Sequence, residues 1–298
     1  MLSIVISAYN EEKKIEACLK SATFADEIIF VDNSSTDRTV EIARRYTKKI
    51  YIQKNDPATI DLQKNFGIKK ATGDWVFLLD ADEEITPELQ EEIKEAIRKN
   101  TFDGFWVPRK NIIFGKWIQH AGWYPDPQLR LFRKGKGLYV KKHYHEPIAL
   151  SGETGTLYQH ILHHNYESMR QFLQKALLVY TPNEADELFE KGYVFDYRDS
   201  IRFPVKEFIS RYFAREGYKD GLHGLVLSLL MAVYHFVIFC YLWEKNTFIE
   251  KKIRLEKMQG EFYQAGKEIS YWIAEKEIEE EKGALKKFGL QVKRKLHI

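Results

Sequence analysis

The sequence predicts an α/β protein with a mostly parallel, Rossmann-like sheet, followed by a helical region. Three observations predict it. Strand and helix patterns alternate through the first hundred residues, the order that a parallel sheet with crossover helices requires. Two of the strand-like runs end on aspartate, Asp32 and Asp80. The apolar run Trp75 to Leu79 then stops at Asp80-Ala81-Asp82-Glu83-Glu84, four carboxylates within five positions. Ligands of open α/β sheets gather at the carboxyl ends of the strands, so Asp32 and Asp80 are expected on one rim.

The elements follow in order. Leu2 to Ser7 is a short β-rich run, and Asn10 is a good amino-terminal cap for a helix. Ile15, Cys18, Leu19 and Ala22 recur at helical spacing. Glu27 to Val31 is a second strand ending at Asp32; Asn33 to Asp37 is a polar turn, and Thr39 to Tyr46 returns to helix. Ile50 to Gln53 is a third strand, residues 59–71 a helix, and Trp75 to Leu79 a fourth strand. Thr86-Pro87 caps the next helix with proline at its first position. Leu89, Ile93, Ala96 and Ile97 supply its buried stripe. Glu83 and Glu84 are assigned to that helix start, where acids oppose the helix dipole.

The texture changes after residue 100. Residues 1–100 read as a ligand-binding half-domain, 101–165 as an aromatic-rich, glycine-punctuated half, and 166–298 as a helical region. Met169, Phe172, Leu173, Ala176, Leu177 and Tyr180 open that region at helical spacing. Within it, Leu222 to Trp243 runs 22 positions without Asp, Glu, Lys or Arg. That length permits a membrane span. Basic residues crowd both flanks, so a single span would carry a very basic tail across the membrane, against the positive-inside tendency. A core helix and an in-plane insertion also fit, and a membrane-associated helix is the reading adopted.

Composition narrows the function classes. The 298 residues are 44% hydrophobic and 30% charged, which is globular rather than disordered. A formal net charge of +3 gives little support to nucleic-acid binding. Neither Cys18 nor Cys240 has a partner at metal-ligand or redox-motif spacing, which indicates a reducing compartment. Met1 leads straight into a strand pattern without a leader, so a cytoplasmic location is expected.

The acid pair Asp80 and Asp82 has the chemistry of a divalent-metal site. Hard cations take oxygen ligands and share them with substrate phosphates. Helix capping would explain one of these acids, not both. Four signals fall in order: Ser7-Ala8-Tyr9-Asn10-Glu11-Glu12, Val31-Asp32-Asn33-Ser34-Ser35-Thr36-Asp37, Leu79-Asp80-Ala81-Asp82-Glu83, and His145-Glu146. Together they resemble the family 2 glycosyltransferases with the GT-A nucleotide-sugar fold, over roughly residues 1–150. Trp123-Tyr124-Pro125-Asp126, Gln128-Leu129-Arg130-Leu131-Phe132 and Gly217-Tyr218-Lys219-Asp220-Gly221 are similar to the lipopolysaccharide-core β-1,4-glucosyltransferase subgroup.

The resemblance implies roles. Ala8, Tyr9 and Glu11 border the nucleobase and ribose, and Asp32 accepts a hydrogen bond from the base, which favours a UDP-sugar. Lys64 approaches the diphosphate, or is an ordinary solvated lysine. Asp80, Ala81 and Asp82 bind the nucleotide-sugar, with Asp82 and then Asp80 holding Mg2+ or Mn2+. Glu146 is the base that deprotonates the acceptor hydroxyl in an inverting transfer, with His145 as rival base or orienting partner. Asp126, Gln128 and Arg130 line the acceptor side or hold its loop, Arg130 pairing with phosphate or with a neighbouring acid, and Trp123 stacks on a sugar face there or packs in the core. His163 and His164 lack a third ligand at zinc spacing.

The implied activity is metal-dependent transfer of a hexose, glucose for preference, from a UDP-sugar to a cell-envelope glycan or lipid-linked acceptor such as lipopolysaccharide core. The enzyme would sit peripherally or monotopically at the inner face of the cytoplasmic membrane. A polyprenyl-phosphate or protein glycosyltransferase stays open, as does a non-catalytic nucleotide-sugar-binding protein.

Overall fold

The computed structural model describes residues 1–56, 60–140 and 148–296. The chain forms two compact units: residues 1–117 with 124–167, and residues 118–123 with 168–298.

The first unit begins with β1 (Leu2–Ala8), α1 (Ile15–Ser21), β2 (Glu27–Asp32), α2 (Thr39–Ala43), β3 (Ile50–Ile52), α3 (Ile60–Lys70) and β4 (Trp75–Asp80). It continues through β5 (Glu83–Ile85), α4 (Pro87–Lys99), β6 (Gly104–Val107), β7 (Arg109–Ile113) and β8 (Lys116–Trp117). It closes with β9 (Gln128–Arg133), β10 (Gly137–Leu138), β11 (Ala149–Leu150), β12 (Thr154–Thr156) and β13 (Ile161–Tyr166). Seven strands make the main sheet in the order β12-β6-β9-β4-β1-β2-β3. Only β9 runs antiparallel to its neighbours there, β4 and β6. A second sheet has the order β5-β13-β7-β8. The sheet therefore draws strands from both sides of residue 100.

Side chains alternate across the pleat. Ile4, Ile6, Phe30, Phe77 and Leu79 face α1, α2 and α4, whose Ile15, Leu19, Ile42, Leu89 and Ile93 complete one core layer. Val5, Ile29, Val31 and Leu78 face Ile68 of α3 in the other. Gly67 is what lets α3 lie close: a Cβ there would meet Val5 Cγ1 at 2.5 Å and Val31 Cγ2 at 3.0 Å. Thr86 caps α4 by accepting from Leu89 N–H, with Pro87 inside the first turn.

Two expectations are corrected. Asn10 does not cap a helix: α1 starts at Ile15, and Asn10 sits at φ 54° with its side-chain oxygen accepting from Thr36 N–H. Asparagine tolerates that left-handed backbone, so it makes a turn that ties two loops together. Glu83 and Glu84 do not belong to the helix start either. They form β5, whose antiparallel pairing with β13 turns Glu83 fully inside and sets Glu84 against His164 Nε2 at 2.7 Å. The helix after Thr39 is also shorter than expected, ending at Ala43.

The second unit is helical: α5 (Met169–Phe172), continued by a π-helical stretch from Leu173 to Tyr180, then α6 (Thr181–Glu190), α7 (Asp199–Ile209), α8 (Leu222–Lys245), α9 (Leu255–Glu280) and α10 (Ala284–Leu296). Asp220, buried at the end of a short turn before α8, accepts backbone N–H bonds from Gln119 at 3.2 Å and His120 at 2.8 Å. That carboxylate fixes the segment 118–123 within this unit.

Candidate functional site

Register brings the strand-end acids together. Ser7 of β1 stands opposite Asp80 of β4, and Ala8 stands opposite Asp32 of β2. All three strands run parallel, so their carboxyl ends make one rim with β1 in the middle.

On the β2 side of the rim, the loops are laced to each other. Asn10 N–H donates to Ser35 Oγ, Glu11 N–H to Thr39 Oγ1 and Glu12 N–H to Asp37 Oδ2. Asn33 donates through Nδ2 to Ser7 Oγ and accepts at Oδ1 from Gln53. Asp32 is 2% exposed, and its Oδ2 accepts from Ser35 N–H at 3.0 Å. Its Oδ1 is buried with no hydrogen-bond partner among the described residues. A buried acceptor left open is costly, and it is suited to a donor brought by a ligand. Ala8 is buried beside it, while Tyr9 is exposed.

On the β4 side, Asp80 is held by two cations. Lys64 Nζ lies 2.7 Å from Oδ1 and Arg130 Nη2 lies 2.5 Å from Oδ2. Burial would raise the Asp80 pKa, but the Arg130 guanidinium and Lys64 ammonium hold it well below the usual carboxylate range. The same pairing keeps Lys64 protonated against burial, which by itself would favour the neutral amine. Lys64 therefore reaches the acids, through the close approach at Gly67 one turn on, and is not a solvated lysine. Arg130 meets the same acids: it is 3% exposed and also bonds Glu83 Oε1 at 2.8 Å. Glu83 in turn accepts from Asp80 N–H at 3.0 Å, closing the turn that presents Asp82. Ala81 is buried within that turn.

Asp82 faces a histidine from the second sheet. His163 Nε2 lies 3.7 Å from Asp82 Oδ2. His163 Nδ1 lies 2.6 Å from Asn111 Oδ1, and Asn111 Nδ2 donates to Asp126 Oδ2 at 3.0 Å. With its amide so oriented, Asn111 presents an acceptor, which places the imidazole proton on Nδ1. Nε2 is the ring nitrogen that faces the Asp82 carboxylate. A carboxylate and an imidazole nitrogen at that separation can share one divalent cation, so the residue types present fit a metal. Among the described residues no three His, Cys, Asp or Glu side chains converge on a metal-binding point. A two-ligand protein set that leaves positions to phosphate and water is how Mg2+ is commonly held.

Asp126 has a supporting place. It accepts from Arg109 Nε at 2.9 Å and from Gln128 Nε2 at 3.3 Å, beside its bond to Asn111. Burial opposes the Asp126 charge, yet Arg109 and Asn111 lower its pKa. Trp123 belongs to the second unit, where the Arg211 guanidinium lies 5.4 Å from its ring centre. Tyr124 packs edge-on against Trp117 at 5.5 Å. Glu146 and His145 lie outside the described residues. Arg109, Asn111 and His163 were not singled out as site residues from sequence; the adjacent pair His163-His164 was the one visible sign.

Residues 3–175 match the model of Glycosyl transferase family 2, more than half of the chain. The chain belongs to that family. It is therefore a glycosyltransferase, and its mostly parallel sheet is the GT-A fold. Among curated relatives it is 27% identical over 252 residues to the lipopolysaccharide core biosynthesis glycosyltransferase LpsC of Rhizobium meliloti, covering 83% of this chain and 93% of LpsC. It is also 27% identical over 257 residues to the uncharacterized glycosyltransferase RT0209 of Rickettsia typhi, covering 79% and 84%. Among solved structures it is similar to S. aureus TarS 1–349 in complex with UDP-GlcNAc, at 14% identity and a TM-score of 0.43, covering 85% of this chain and 93% of that one.

Proposed function

We propose that this glycosyltransferase moves a hexose, glucose for preference, from a UDP-sugar to a cell-envelope glycan or lipid-linked acceptor such as lipopolysaccharide core, with inversion at the anomeric carbon. The observation that carries the donor half is the rim itself: the open Asp32 Oδ1 and the Asp80–Asp82 turn flank the end of β1. A carboxylate acceptor suits the imide N–H of uracil. At the other end of the donor, Lys64 and Arg130 hold Asp80 ionised and fixed, while Glu83 shapes the turn that presents Asp82.

Asp82 and His163 would hold Mg2+ or Mn2+, which when bound would supply Lewis-acid neutralisation of charge on the departing nucleoside diphosphate. Asp80, with both oxygens on cations, is left to orient the ribose and the turn. Glu146 takes the proton of the acceptor hydroxyl as that oxygen attacks, with His145 as rival base or orienting partner. Similarity to LpsC supports the envelope acceptor. An acceptor of that kind supports placing the enzyme on the cytoplasmic side of the membrane, at its surface.

The test is a pair of variants. Asp82→Ala is expected to abolish metal-dependent transfer, and Glu146→Gln to lower turnover by about 10²- to 10⁴-fold, the usual worth of a general base. Both should keep the wild-type melting temperature. Full activity in either removes that residue from the mechanism, and activity kept in Glu146→Gln alone favours a phosphate acceptor, which needs no strong base.

A further inference from the structure

The helix α8 has two unlike faces. Leu227, Ser228, Met231, Tyr234, Ile238 and Leu242 are buried. The opposite stripe is Leu222, Leu229, Val233, Phe236 and Trp243, exposed by 74, 49, 47, 44 and 39%. Four of these recur at seven-residue intervals, which keeps them on one side of a helix about 36 Å long. Soluble monomers seldom leave so continuous an apolar strip to water.

The segment after α8 extends the strip. Residues 247–257 are all exposed, and Phe248, Ile253 and Leu255 lie there among four cations, Lys251, Lys252, Arg254 and Lys257, that outnumber the two acids Glu250 and Glu256. Thr247 and Phe248 take φ of 55° and 51°, a left-handed backbone that a phenylalanine seldom adopts. That turn sets the Phe248 ring edge-on to Trp243, 5.1 Å between centres, while Trp243 Nε1–H donates to the Ile249 carbonyl at 3.1 Å. The strained turn thus holds a second aromatic ring outward beside the end of the stripe.

We propose that this face, the outer stripe of α8 with the 247–255 turn, lies in the plane of an anionic lipid surface and holds the enzyme there. Charge complementarity selects the occupant. A bilayer interface accepts an apolar stripe, an indole and neighbouring cations together, whereas a second copy of the chain would bring the same cations. The buried face argues against a span. Tyr234 donates to Glu184 of α6, Lys245 pairs with Asp186 of α6, and His235 Nε2 lies 3.7 Å from Glu207 of α7. Crossing the bilayer would take these carboxylates into hydrocarbon with the helix. This deepens the membrane-surface placement proposed above and does not depend on the chemistry of the rim.

Flotation of the full-length protein with vesicles tests it. Wild type is expected to float with vesicles containing phosphatidylglycerol and to be released by alkaline carbonate. F248E/I253E is expected to lower the bound fraction about tenfold, as loss of buried apolar area does. K251E/K252E should abolish the preference for anionic over phosphatidylcholine vesicles. All three proteins should give the same circular dichroism, since these positions are exposed. Equal flotation of wild type and F248E/I253E overturns this face while leaving membrane attachment intact. No flotation of wild type overturns both. Carbonate-resistant wild type, or a lipid-free dimer that F248E/I253E dissolves, also overturns the proposal.

Discussion

Asp80 remains a carboxylate inside the protein because two cations meet it, Lys64 from α3 and Arg130 from β9. Removing either would leave a half-buried charge with less compensation, the costly way to break such a network. Asp82 depends on a longer chain of contacts: Arg109 to Asp126, Asp126 to Asn111, Asn111 to His163. Replacing Asn111 with leucine should free the His163 ring and weaken Mn2+ binding by about 10- to 100-fold, as loss of outer-shell partners does. Titration of Mn2+ by electron paramagnetic resonance measures this, and unchanged affinity would remove Asn111 from the metal reading. The rim aspartates were legible because each ends a strand pattern. The partners were not, since Arg109, Asn111 and His163 meet only through the parallel register of β7 with β13. Which acid Arg130 meets was not legible either, because Asp80 is fifty positions away.

Glu27 shows how an element is anchored at the opposite end of the sheet. At the start of β2, its side chain is 2% exposed and accepts from Ser3, Thr72 and Lys49. Burial opposes the charge, but the hydrogen bonds from Lys49, Thr72 and Ser3 lower its pKa to about 2 from 4.5. A depressed carboxylate stabilises above its unfolded pKa and loses that contribution as pH falls through its folded one. Glu27→Gln is therefore expected to cost about 3 kcal/mol at neutral pH. The difference from wild type should vanish between pH 4.5 and about 2 in denaturant titrations. A constant difference across that window would contradict the assignment. The strands and helices up to α4 were legible from period and caps, Thr86-Pro87 above all. Two sites misled for a physical reason: Asn10 is as good in a left-handed turn as at a cap, and Glu83 suits a helix start until β13 pairs with its strand.

At the scale of the whole molecule, the chain divides into a GT-A unit and a helical unit, with residues 118–123 assigned to the second. The α/β class was legible from the alternation of elements, and the change to helix near residue 166 from spacing. The excursion at 118–123 was not, because its partners, Asp220, Arg211 and Arg215, lie some ninety to a hundred positions away. Sequence likewise left α8 as core, insertion or span. The structure adds that one face is covered and the other open, which is what makes an in-plane attachment arguable.

The central claim is catalytic transfer from a UDP-hexose at the Asp32–Asp80–Asp82 rim. A screen of nucleotide-sugar donors for nucleoside-diphosphate release, with Mg2+ or Mn2+ and with or without envelope lipid extract, tests it most directly. UDP release from a UDP-hexose, dependent on the metal and raised by the extract, is the expected result. Metal-dependent UDP binding with no release from any donor would contradict it, leaving a protein that binds the donor without turning it over.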